Sequence, residues 1–231
     1  MKKLIFTAAL ILCLGFGTDA SASIVNINDS PLSGGEPSLY QIYNTLYGQS
    51  LTSSAALMAL ENDFATSVGL FTSNAGSGTI RARYSGAPVS LYTYKGVDYT
   101  NTTLIGTFPA SSGPLFNVYP ITDTQPFGFK AHVTYSPLNI VYDWYSEIGY
   151  NNPPDGAYHF VVINTPVANT FMVGFEDMRT NGPINSDWDY QDAVFEITNL
   201  KAVTPEPATM SLLGFGLLGL IGRKLRRKFM A

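Results

Sequence analysis

Charge is scarce in this chain. Only 13% of its 231 residues are Asp, Glu, Lys or Arg, against about 25% in an ordinary globular protein. The scarcity is not a membrane signature, because no apolar run reaches the roughly 18 residues expected of a spanning helix. Nor is it disorder, since 45% hydrophobic and 13% aromatic residues suffice to build a core. Basic residues are rarest in the middle: between 23 and 204, six Lys and Arg face fifteen Asp and Glu. That imbalance argues against nucleic-acid binding, which needs a basic surface, and suits a cation-binding surface protein. Histidine is almost absent. His132 and His159 stand alone in separate strand-like patterns, without the ligand triplet of a zinc site. No Gly-x-Ser-x-Gly elbow accompanies them, so a Ser-His-Asp hydrolase has no recognisable frame. Cysteine occurs once, at Cys13, inside an N-terminal apolar stretch.

Both ends read as addresses. Lys2-Lys3, the apolar stretch from Leu4 to Gly17, and Ala20-Ser21-Ala22 have the order of a secretory signal peptide cleaved after Ala22. Cys13 leaves with it, so the mature chain has no disulfide framework and no thiol nucleophile. At the other end Pro205-Glu206-Pro207 precedes an almost wholly apolar run, Ala208 to Gly222, and then a cluster of basic residues from Arg223 to Lys228. As a helix that run spans about 22 Å, short for a bilayer core of about 30 Å unless basic side chains snorkel. The basic cluster stays cytoplasmic, which leaves the main domain outside. Thr204-Pro205-Glu206-Pro207-Ala208-Thr209 with this tail resembles the PEP-CTERM sorting signal. The resemblance implies a Gram-negative bacterium, export by the Sec machinery, and transient residence in the inner membrane through the C-terminal helix. It further implies recognition by an exosortase, loss of the tail, and delivery to the cell surface or extracellular polymeric matrix.

The 182 residues between 23 and 204 are enough for one sizeable domain. Leu39, Ile42, Tyr43, Leu46 and Tyr47 recur at helical spacing, with Pro37 in the first turn and Gly48 at the end. A second short helix is expected over about Ser54 to Asp63, and Asn74 to Gly78 as a turn or flexible link. From Thr79 the period changes to two. Ile80–Tyr84, Leu91–Tyr94, Thr102–Phe108, Phe127–Tyr135, Ala157–Ile163, Thr170–Glu176 and Asp192–Leu200 are strand candidates, punctuated by Pro and Gly. The expected architecture is mainly β: a helical lead-in over 23–78, then an antiparallel, jelly-roll-like β-sandwich over 79–204.

Acids concentrate in one place. Glu176 and Asp177 end one strand candidate, while Asp187, Asp189 and Asp192 lead into the next, opposed only by Arg179. If the two strands pair, the five carboxylates converge at one end of a sheet and repel unless a cation neutralises them. Hard oxygen ligands in a flexible loop fit calcium, which takes six to eight oxygens, better than magnesium with its strict octahedron. Backbone carbonyls and Asn185 would complete the shell. The spacing is not an EF-hand, because counting from Asp187 puts Asp192 where glycine belongs and Thr198 where glutamate belongs.

Phe175-Glu176-Asp177-Met178 followed by Asp187-Trp188-Asp189-Tyr190-Gln191-Asp192-Ala193-Val194-Phe195 resembles the closing motif of domain-of-unknown-function family 4114. Phe127-Gly128-Phe129 and His159-Phe160-Val161-Val162 resemble its earlier strands, so the likeness covers about 124–203. Gln191 replaces the family's asparagine. The resemblance implies a β-rich extracellular module that binds calcium, without an established activity. The leading expectation is therefore a non-enzymatic surface or matrix protein with a structural or adhesive role. Two alternatives stand beside it. Trp144, Tyr145 and Trp188 could stack sugars, making an extracellular polysaccharide the partner of a carbohydrate-binding module. A secreted polysaccharide hydrolase would instead use paired carboxylates across a cleft, such as Asp143 with Glu147.

Overall fold

The computed structural model describes residues 25, 27, 36–95, 101–121, 126–179 and 186–202. The signal-peptide expectation, with Ala20 and Ala22, and the sorting motif at Pro205, Glu206 and Pro207 lie outside the described residues, as does Asn185. Helix α1 spans Leu39–Tyr47 and buries Leu39, Ile42 and Tyr43, the stripe that its spacing predicts. The amide of Ser38 donates to Gln41 Oε1 at 2.9 Å, which satisfies a donor at the helix entrance. Gly48, at φ 63°, ends the helix in the left-handed region, where glycine carries no Cβ penalty. Two shorter helices follow, α2 (Ser54–Met58) and α3 (Asp63–Val68), so the expected second helix is two. Asn62 is the break, its Oδ1 accepting from the Ala65 amide at 2.9 Å to cap α3.

Nine strands follow in two antiparallel sheets: β1 (Phe71–Ser85), β2 (Val89–Lys95), β3 (Asn101–Phe108), β4 (Ser111–Ile121), β5 (Gly128–Tyr135), β6 (Ile140–Tyr145), β7 (Phe160–Asn164), β8 (Thr170–Phe175) and β9 (Ala193–Ala202). The five-stranded sheet runs β4-β1-β9-β8-β7 and the four-stranded sheet β3-β2-β5-β6. The fold is thus mainly antiparallel β in two sheets, with a short helical segment before it. Strand β1 begins at Phe71, eight residues before the expected start. The stretch expected as a flexible link is therefore strand, and its register against β9 shifts between Ser73 and Ser77.

The main core lies between the sheets, where Phe71, Phe129, Trp144, Phe160, Phe175 and Phe195 pack together. A second core covers the opposite face of the five-stranded sheet, where α1 and α2 set Leu39, Ile42, Tyr43 and Leu57 on Val161, Ile163, Met172 and Val194. Burial on both faces explains why Phe160-Val161-Val162-Ile163 is apolar at every position instead of alternating. Each such side chain, fully buried, contributes roughly 1.5–3 kcal/mol. Among the described residues no α-helix covers the outer face of the four-stranded sheet, and β5 alternates accordingly. Gly69 marks a tight join of backbone on backbone. It sits at φ 64°, and a Cβ there would stand 2.3 Å from the Ser146 carbonyl oxygen, so Gly69→Ala requires the backbone to move.

Candidate metal centre

Strands β8 and β9 pair antiparallel, with Gly174 opposite Val194. The end of β8 and the start of β9 therefore lie side by side, and Glu176-Asp177 meets the segment that closes on Asp192. Phe175 bridges Gln191, which pins the incoming segment beside the outgoing strand. Trp188 and Tyr190 both take left-handed backbone, at φ 59° and 56°. Bulky residues avoid that region, so the surroundings hold the segment tightly coiled on either side of Asp189.

The structure brings together three of the five expected acids. One carboxylate oxygen each from Glu176, Asp189 and Asp192 lie within 4.8 Å of one another. Glu176 is 0% exposed and Asp189 4%, while Asp192 is half-buried. Asp177, 1% exposed, stands beside them with Oδ2 taking the Ser85 hydroxyl, and its amide donates to Asp192 Oδ2 at 2.7 Å. Asp187 is exposed, at the rim.

Three oxygens in this group are buried without a hydrogen-bond partner: Glu176 Oε2, Asp177 Oδ1 and Gln191 Oε1. Such groups are rare and costly in folded proteins. The Gln191 side chain is 1% exposed, and its Nε2 donates to Asp189 Oδ2 at 3.0 Å and to Glu36 Oε2 at 3.2 Å. Glu36, three positions before α1, carries no sequence signal linking it to this cluster, because it lies in the helical lead-in.

Burial, and then repulsion from Asp177, Asp189 and Asp187, raises the Glu176 carboxyl well above its usual range. Asp192 moves the same way through burial and through Asp177, Glu176 and Asp189. Burial likewise pushes Asp189 up to about 7. Asp177 is raised by burial, although the Ser85 hydroxyl and Arg83 pull it back. The donor set is all hard oxygen and suits calcium over a transition metal. Orphaned buried oxygens and carboxyls shifted toward the neutral form thus lie together at this end of the sheet.

The expected stacking residues do not share a surface. Trp144 is 0% exposed, stacked on His159 with centroids 3.6 Å apart, and its Nε1 donates to the Asp177 carbonyl at 2.9 Å. Tyr145, 9% exposed, lies on the opposite face of β6, edge-on to Tyr94. Successive strand residues point to opposite faces, so the two cannot form one platform. Trp188 is half-buried, 5.8 Å from the His159 ring. Each histidine has a carboxylate partner: His159 Nε2 lies 3.0 Å from Asp155 Oδ2, and His132 Nδ1 lies 2.8 Å from Asp143 Oδ1. Among the described residues neither ring is hydrogen-bonded to a serine hydroxyl. No helix among them is long and apolar enough to cross a membrane.

No curated protein sequence matches this chain. Among solved structures it is similar to the Ralstonia solanacearum high-affinity mannose-binding lectin, at 16% identity and a TM-score of 0.33 over 59% of this chain and 97% of the lectin. A likeness that distant carries no argument about ligand or activity. Residues 203–228 match the PEP-CTERM protein-sorting motif, which points to exosortase-dependent sorting and to export toward the cell surface or extracellular space of a Gram-negative bacterium.

Proposed function

We propose that this chain is an exported surface or matrix module, structural or adhesive in role and without catalysis, whose sandwich is completed by a calcium ion. In this reading the mature module covers residues 23–204. Glu176, Asp189 and Asp192 hold the ion, Asp177 and Gln191 add oxygens at its edge, and Asp187 draws cations to the rim. One observation carries the reading. A carboxylate with no exposed surface, Glu176, keeps Oε2 unpartnered beside two other converging carboxylates. Burying ionised carboxylates without a partner is strongly unfavourable, and a bound divalent ion removes the repulsion. The resemblance of residues 124–203 to domain-of-unknown-function family 4114 supports the same conclusion.

Calorimetric titration of calcium into chelator-stripped protein tests it. The expected result is one ion per chain, with a dissociation constant of about 10⁻⁴ to 10⁻³ M, the range of extracellular modules. Glu176→Gln, equal in shape, should weaken binding at least tenfold. A chain that takes up no calcium, or a Glu176→Gln variant that binds like the wild type, rejects the assignment.

A further inference from the structure

The outer face of the four-stranded sheet, which no α-helix covers among the described residues, carries a polar site away from the acid cluster. Register sets it out in two rows. Thr107, Ser90, His132 and Asp143 stand opposite one another across β3, β2, β5 and β6. The next row is Leu104, Tyr92, Lys130 and Tyr145. Tyr92, Thr102, Lys130 and His132 line a depression of about 190 Å³.

Its polar groups are held in place. Asp143 accepts from His132 Nδ1 at 2.8 Å through one oxygen and from Lys130 Nζ at 3.1 Å through the other. Its backbone is fixed by reciprocal hydrogen bonds with Asn152, at 2.9 and 2.8 Å. The Lys130 ammonium also sits 5.3 Å from the centre of the Tyr145 ring, a cation–π contact. With Nδ1 donating to a carboxylate, the His132 ring presents Nε2 as its remaining polar atom. Ser90 and Thr107 hydroxyls lie 2.9 Å apart in the same row.

We infer that this face binds a segment of neutral polysaccharide through Tyr92, Lys130, His132 and Asp143. Charge selects the ligand class. Lys130 neutralises Asp143, so a uronate or phosphate meets the carboxylate and a cation meets the ammonium. A sugar ring meets neither conflict. Each hydroxyl donates and accepts, so neighbouring hydroxyls pair with a fixed carboxylate and a fixed ammonium together, while the Tyr92 ring covers the C–H face. The volume is below the roughly 300–1,000 Å³ of pockets that enclose a drug-sized ligand. It fits one ring of a longer chain lying across the strands. The matched sorting motif directs the protein to the compartment where such chains occur. The expectation of sugar stacking thus moves from the buried Trp144 to the opposite, outer face of the same sheet.

Affinity electrophoresis of the full chain, with calcium present, tests the inference against mannan, xyloglucan and a mixed-linkage β-glucan, with alginate as the uronate comparison. At least one neutral polymer should retard the protein and alginate should not. Tyr92→Ala and Asp143→Asn should each weaken that binding at least tenfold, whereas Trp188→Ala should leave it unchanged. Asp143→Asn conserves shape, so an unchanged melting temperature separates lost binding from lost fold. Retardation by alginate alone, by no polymer, or equally by Asp143→Asn and the wild type overturns the inference.

Discussion

Two groups of acids in the same sandwich are treated in opposite ways. Glu196, on β9, meets Arg81 at 2.5 Å and the Tyr47 hydroxyl at 2.8 Å, while Asp143, on β6, meets Lys130 and His132. Each has its counter-charge beside it. In the cluster of Glu176, Asp177, Asp189 and Asp192, the buried Arg83 interacts with Asp177 and Asp192, and its guanidinium donates to the carbonyls of Pro109, Ala87 and Asp192 rather than to a carboxylate. Acids inside the sheets are therefore paired by the chain itself. At the end of β8 and β9, by contrast, Glu176 Oε2 and Asp177 Oδ1 are buried without a hydrogen-bond partner.

Removing Arg83 widens that contrast most. It has no exposed surface and three carbonyl acceptors. Deleting one partner of a buried charged network typically costs about 3–5 kcal/mol. Arg83→Met should therefore melt far below the wild type or fail to fold, as followed by circular dichroism in chelator.

Proton concentration shifts the contrast next. Asp189 titrates near 7 in the folded chain, well above the value of about 3.9 in an unfolded one. An acid raised in this way contributes stability that is fully present below the unfolded value and is lost as pH rises through about 7. Glu176 and Asp192 shift in the same direction. The metal-free chain should therefore melt lower at pH 8 than at pH 5. Calcium, which binds the ionised carboxylates, should remove most of that slope. A metal-free melting temperature that rises between pH 5 and 8 contradicts this.

Asp189→Asn sharpens the comparison further. It removes one charge at nearly constant shape, so calcium should bind at least tenfold more weakly, about 1.4 kcal/mol. The metal-free melting temperature should hold or rise as repulsion falls. Glu196→Gln is the counterpart from the paired group. Arg81 is partly exposed, so the cost should be about 1 kcal/mol or less, and calcium binding should not change.

The amphipathic stripe of α1 and the alternation of β2 and β5 were legible because each element has one wet face. The start of β1 was not, because Asn74, Ala75, Gly76 and Gly78 carry no apolar alternation, and backbone pairing with both neighbours begins only at Ser77. Strand β4 hides behind Gly113 and Pro114 at its start and Pro120 near its end. The orientation of the β6 aromatics was not legible either, because they occupy both faces: alternation sends Tyr142 and Trp144 inward and Tyr145 to the other side. Within the site, Glu176, Asp189 and Asp192 could be anticipated from two adjacent strand ends. Glu36 could not, since nothing local in the chain says that it stands beside Gln191.

Thermal melts at pH 8 in chelator and in 10 mM calcium test the central claim most directly. With a dissociation constant of about 0.1 mM, binding adds about 2.7 kcal/mol, a rise of roughly 5–11 °C for a domain of this size. The account requires that rise in the wild type and its loss in Glu176→Gln. Identical wild-type melts with and without calcium would mean that the buried carboxylates are neutralised by protons alone.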